Sequence, residues 1–242
     1  MKCFMVFHAL DSIPVEDNYT VSALIERANK NAGQELDDPE IVKGDIAVYT
    51  GLQNADPCTS RGCKWRSSRN GNVYVPYVIA KQYCKEHSFA RSTCIRFTRR
   101  TSQKDYLYIQ SRSGCWSFVG RRGKKQVVSL AKSGCVYHKV IQHELLHALG
   151  FNHEQSRSDR DSHVRILYKN IIKGKEHNFR KIKTNNLGTP YDYGSIMHYG
   201  RKSFSRNGRP TIVPIPNPNV VIGKASKMSR FDIKRVNLLY KC

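Results

Sequence analysis

Apolar and polar positions change their period several times along the chain. Val21, Leu24, Ile25 and Ala28 recur at three- and four-residue steps, so a helix is expected there, with Asn31 and Gly33 behind it as stop signals. Val73 to Ile79, Thr93 to Phe97, Tyr106 to Gln110 and Val127 to Leu130 are short β-branched or aromatic runs, which predict strands of a mixed sheet. Pro76 lies inside the first run. It has no amide hydrogen to give a ladder, which argues for an edge position or a strand end. From Val136 a helical period returns through Val140, Ile141, Leu145, Ala148 and Leu149, and it stops at Gly150. Beyond that the pattern thins into a polar half, where 185–193, rich in Asn, Gly and Tyr, reads as loop. Near the end, Ser229-Arg230-Phe231-Asp232 has the form of a capping box, and Ile233, Val236 and Leu239 share one face of the short helix it opens.

Length and composition narrow this pattern. At 242 residues the chain can bury the core of one catalytic domain, divided into two lobes by a cleft. It has no internal repeat, no low-complexity tract and no apolar run long enough to span a bilayer. Eight cysteines, none in a paired CxxC pattern, point to an oxidising, extracellular destination. The start is a weak secretory signal, since Lys2 is followed only by the short apolar run Cys3 to Phe7 before His8. Asn18-Tyr19-Thr20 is the single glycosylation sequon.

Charge divides the chain in two. The net charge is +22 overall, with −5 on residues 1–53 and +27 on 54–242, an acidic leader ahead of a strongly basic domain. A solvated face and an adhesive surface for polyanions explain the basic charge equally well. No nucleic-acid motif accompanies it, so nucleic acid is not an expected partner.

The chemistry concentrates between His143 and His153. His143 and His147 stand four apart, which on a helix puts both imidazoles on one face where they can share a metal ion. Glu144 lies beside them as a general base for a water polarised by that ion. Gly150 can take the positive φ that ends a helix, letting the chain turn back and bring in His153 as a third ligand. Three protein nitrogens leave a tetrahedral zinc one open position, the mark of a catalytic rather than a closed structural site. A bare HExxH arises by chance on amphipathic helices. The full string followed by Ser195-Ile196-Met197-His198-Tyr199 is the metzincin signature.

With Ser156-Arg157-Ser158-Asp159-Arg160-Asp161, these residues resemble the astacin family of zinc endopeptidases, and within it the hatching enzymes, from about Val21 to Cys242. The resemblance implies an α+β, two-lobed metzincin domain. A mixed sheet and the zinc helix form its upper lobe, and an irregular lower lobe carries a C-terminal helix. It implies one zinc ion on His143, His147 and His153, with Glu144 as base. Met197 becomes an apolar platform under the metal, and Tyr199 a phenol that reaches the metal at rest and later the oxyanion. Residues 1–53 become leader and propeptide, in which Asp45 of Ile41-Val42-Lys43-Gly44-Asp45 is the inhibitory ligand. Cleavage before Asn54 releases residues 54–242, and Glu154 then pairs with the new amino terminus. Implied disulfides are Cys58–Cys63, Cys94–Cys242 and Cys115–Cys135, while Cys84 has no assigned counterpart. Relatives carry a longer helix in the stretch from Ala80 to Thr93, here shorter by about 11 Å of helix. Lower stability and a reactive or mispaired Cys84 are the expected consequences. The implied product is a secreted, monomeric endopeptidase acting on protein, the egg envelope in particular. The rival is a weakened or inactive basic secreted protein that binds polyanionic surfaces and keeps the zinc site.

Overall fold

The computed structural model describes residues 17–34, 38–48, 62–80 and 88–242. Its frame is a sheet of β1 (Glu40–Val42), β2 (Ile46–Val48), β3 (Val73–Ile79), β4 (Ile95–Arg99), β5 (Tyr106–Gln110), β6 (Cys115–Ser117) and β7 (Lys125–Leu130). The spatial order is β1-β2-β6-β7-β5-β3-β4. Strands β7, β5, β3 and β4 run parallel, β6 lies antiparallel to β7, and the segment expected as the leader adds β2 parallel to β6 with β1 antiparallel outside it. The mixed sheet expected from the strand runs is therefore present, enlarged by two strands of the leader.

Two of the expected strands have the expected bounds, β3 and β5. The run at Thr93 is displaced by two residues because Thr93 closes a turn, its hydroxyl donating to Phe89 O and accepting from Ile95 N–H. The expectation for Pro76 needs correcting, since β3 lies inside the sheet between β5 and β4. Pairing with β5 begins only at Tyr77, so the proline sits where that ladder has not yet started and needs no amide hydrogen.

One face of the sheet packs on α2 (His138–Ala148), with Val73, Val75, Ile95, Leu107, Val128, Val140 and Leu149 fully buried between them. In the β3–β4 connection the described residues form a single 3-10 turn, Ser88–Arg91. Phe89 from this turn is buried and meets Phe97 edge-to-face at 5.4 Å, covering part of the sheet that a helix would otherwise cover. Cys84 and the rest of that stretch lie outside the described residues.

Below the cleft the structure is irregular, apart from the pair β8 (Val164–Ile166) and β9 (Ile212–Pro214) and the helix α3 (Arg230–Tyr240). The expected capping box is formed: the Ser229 hydroxyl accepts from the Asp232 amide and Asp232 accepts from the Ser229 amide. Val236 and Leu239 are buried on the predicted face. Cys94–Cys242 ties α3 to the sheet, and Cys115–Cys135 closes the β6 region, as expected. Cys63 is also disulfide-bonded; its expected partner Cys58 lies outside the described residues. Among the described residues no helix is long and apolar enough to cross a membrane.

Candidate metal centre

Helix α2 delivers two histidines from a buried position. Its end is set by Gly150 at φ 106°, with Gly150 N–H on His147 O and Phe151 N–H on Leu146 O, so the chain reverses and His153 returns beneath the helix. His143, His147 and His153 are all buried, and their Nε2 atoms converge: 3.1 Å from His143 to His147 and 3.2 Å from His143 to His153.

The protons on these rings are accounted for elsewhere. His143 Nδ1–H donates to Ile196 O at 2.9 Å, and His147 Nδ1–H donates to Phe151 O at 2.7 Å, which leaves the Nε2 lone pairs facing one another. Burial lowers the pKa of His147 and brings that of His153 down to about 3, so both stay neutral. Asp45 adds carboxylate oxygens 2.9 Å from His143 Nε2 and 3.0 Å from His153 Nε2. Four acceptor groups crowded this closely fit a cation. Nitrogen ligands on a tetrahedral zinc stand about 3.3–3.4 Å apart, given Zn–N near 2.0–2.1 Å, and all four ligand atoms here lie within 4.8 Å of one another.

Glu144 is fully buried beside this group, and neither carboxylate oxygen has a hydrogen-bond partner among the described residues. Burial, then the charge of Asp45, pushes its pKa well above the usual carboxylate range. A carboxyl shifted upward can hold a proton near neutral pH, as a base that must later act as an acid requires.

The segment expected as the leader meets the centre and the residues around it. Helix α1 (Val21–Ala28) begins at Thr20, whose hydroxyl accepts from Ala23 N–H, and it ends at Asn29, two residues before the first expected stop. Asn29 leaves the helix to pair with Cys115 in both directions, its amide donating to Cys115 O at 2.7 Å and accepting from Cys115 N–H at 2.6 Å. Ser22 and Glu26 accept from the amides of Gly200 and Phe204 on the opposite wall. The β1–β2 turn carries Lys43 at φ 49° and Gly44 at φ 86°, and Asp45 O accepts from Ser117 N–H of β6. A Cβ on Gly44 would lie 2.9 Å from Tyr199 Oη and 3.1 Å from the Phe204 ring, so that position excludes larger residues on both counts.

Tyr199 and Glu154 both have protein partners in this structure. Tyr199 Oη donates to Lys43 O of the leader at 2.5 Å, with its ring 4.7 Å from that of His153, so here the phenol is held by the leader and not at the metal group. Glu154 is already paired. Arg235 meets it with two hydrogen bonds of 2.6 and 2.9 Å, Arg157 stands at 3.3 Å, and Asp192 N–H donates at 2.7 Å. Met197 is buried, and its carbonyl accepts from Glu154 N–H, next to His153. Cleavage before Asn54 falls outside the described residues.

Sequence reasoning missed Asn29 and Arg235. Nothing local marks Asn29. Arg235 does leave a signal, a charged residue three positions after Asp232 on the stripe that continues to Leu239.

Residues 74–241 match the model of Astacin, a peptidase family. High choriolytic enzyme 1 of Oryzias latipes is 48% identical over 94% of this chain and 86% of its own. Low choriolytic enzyme of the same fish is 49% identical over 96% and 87%. The solved structure of high choriolytic enzyme 1, a hatching enzyme zinc-protease, superposes with a TM-score of 0.74 at 52% identity, covering 78% of this chain and all of that one. The chain belongs to the astacin family, and it is a zinc metalloendopeptidase related to hatching enzymes.

Proposed function

We propose that the chain is the secreted precursor of an endopeptidase that digests egg-envelope protein, kept latent by residues 1–53. The observation that carries the proposal is the Asp45 carboxylate lying among His143, His147 and His153, delivered by a leader hairpin that also pairs with β6. Support for a boundary near 53/54 comes from the hatching-enzyme structure, whose whole length covers the share of this chain that residues 54–242 make up. Disulfides support secretion.

His143, His147 and His153 would hold the zinc, which supplies Lewis acidity to the scissile carbonyl and acidifies the attacking water. Glu144 takes the proton of that water and returns it to the leaving amine. When the leader departs, Lys43 O goes with it, and the Tyr199 hydroxyl is free to donate to the oxyanion. The Cys115–Ser117 edge loses its partners Asn29 and Asp45 at the same moment and is open to a substrate backbone. A small cavity of about 100 Å³, bounded by Glu154, Asp232 and Arg235, is where the new amino terminus would reach Glu154. The polyanion-binding rival is disfavoured because neither a histidine nor Glu144 is lost.

Isolated egg envelopes and a small neutral peptide, each incubated with precursor and with protein cleaved before Asn54, test the proposal. Cleavage should switch on hydrolysis of both, with envelope digestion the more salt-sensitive, since a domain at +27 binds acidic surfaces through contacts screened over about 8 Å. A processed enzyme that cuts the peptide but leaves envelopes intact would remove the egg envelope as substrate. A precursor as active as the cleaved form would remove latency.

A further inference from the structure

We propose that Arg235 is a positioning residue for the metal centre, holding His153 in place through its grip on Glu154. The proposal rests on the reading of His153 as a ligand. Arg235 projects from α3 into the protein with four of its five N–H groups used: Nη1 donates to Glu154 Oε2 at 2.6 Å, Nη2 to Glu154 Oε1 at 2.9 Å and to Pro190 O at 2.8 Å, and Nε to Thr189 Oγ1 at 2.8 Å. Both side chains are buried, with 8% and 3% of their surface exposed. A planar fork on a carboxylate fixes orientation as well as distance, which a lysine at the same place cannot do.

His153 depends on such a hold more than its two companions do. His143 and His147 each have Nδ1–H anchored on a carbonyl, but His153 Nδ1 has no partner among the described residues. Its ring lies 4.7 Å from that of Tyr199, and its polar contacts are at Nε2 with the other groups of the centre. Its backbone is pinned immediately afterwards, by Glu154 N–H on Met197 O and by the Glu154 carboxylate in the fork of Arg235. Hydrogen bonds behind metal ligands orient them and tune affinity; here the hold passes through the next residue instead of through the ring. Arg157 is a poor replacement, because its own fork is taken by Asp159 at 2.9 and 2.7 Å. None of these groups belongs to residues 1–53, so processing removes none of them.

The test uses the full chain after processing and reads zinc affinity by chelator competition beside peptide kinetics. Arg235→Gln should raise the zinc Kd by about 10-fold or more and lower kcat with KM little changed. Arg235→Lys keeps the charge without the fork and should fall between Arg235→Gln and wild type. Should Arg235→Gln fail to fold, Arg235→Lys alone decides, with a zinc Kd several-fold above wild type as the supporting result. Zinc Kd and kcat within twofold of wild type in every variant that folds would overturn the proposal. His153→Ala is measured in parallel: if it leaves zinc affinity unchanged, the ligand assignment has failed and not merely the role of Arg235.

Discussion

Two elements hold the histidine centre from opposite sides, the leader hairpin in front and helix α3 behind. In front, Asp45 meets the histidines, Asn29 and Asp45 pair with the backbone of β6, and Lys43 O occupies Tyr199. Those are groups that a substrate, a water or an oxyanion could engage in turn. Behind, Asp232 accepts from Ser195 Oγ–H and Ile196 N–H, Ile196 O receives His143 Nδ1–H, and Arg235 grips Glu154. Those contacts hold the segments that carry the ligands, and no substrate replaces them. If residues 1–53 impose latency as proposed, latency and competence rest on separate sets of residues, and mutation should pull them apart.

The largest effect belongs to the reacting face itself. Glu144→Gln removes the base while touching neither grip, since its carboxylate has no hydrogen-bond partner among the described residues. Peptidase activity of the processed form should fall by about 10²–10⁴-fold with zinc content unchanged by metal analysis. Activity that survives would mean the proton goes elsewhere.

Asp45→Ala attacks the front grip and should act in the opposite direction. A contact to a charged group carries about 1.5–3 kcal/mol, so activity of the uncleaved precursor should rise by about 10- to 100-fold on a small peptide. The processed enzyme lacks Asp45 and should be unaffected. Equal latency of mutant and wild-type precursors would take Asp45 out of the inhibition.

How much of this was legible in the sequence follows from the same division. The centre was readable because His143, Glu144, His147, Gly150 and His153 sit within eleven residues, and local helix geometry converts that spacing into a metal site. The capping box at Ser229 was equally local. Strand β6 is three residues long, too short to show a period, so the edge that receives the leader could not be read from pattern. The β1–β2 hairpin was hidden in the same way, although Gly44-Asp45 marked its turn. Asn29 pairs with a residue 86 positions away and Arg235 with one 81 away; such partners are fixed by packing, not by spacing. The inward Pro76 was misjudged because its freedom comes from where a neighbouring strand begins.

Asn29→Ala sharpens the comparison within the front. It removes two hydrogen bonds to Cys115, and a third to Gly44 O within the leader itself, but touches no atom of Asp45. With a net worth near 0.5–1.5 kcal/mol per bond, a separate leader peptide should inhibit the processed enzyme roughly 5- to 150-fold more weakly, read as an inhibition constant. An unchanged constant would show that the side-chain pairing adds nothing to the strand pairing at Ser117.

The smallest change in latency is expected from the rear. Asp232 is buried, and its two oxygens accept from Ser195 Oγ–H, Ile196 N–H and Ser229 N–H. In Asp232→Asn one oxygen becomes an NH₂ that faces a donor, so at least one of these bonds is lost and a buried donor is left unmatched, at about 1–3 kcal/mol. The cost falls on the turn that carries Ile196 and Met197, and that turn is common to precursor and processed enzyme. The melting temperature should therefore drop in both forms by a similar amount. The ratio of processed to precursor activity should stay at its wild-type value, because no leader contact runs through Asp232 among the described residues. A precursor that gains activity in this variant would show that the leader is sensed through α3, and the separation of front from back would fail.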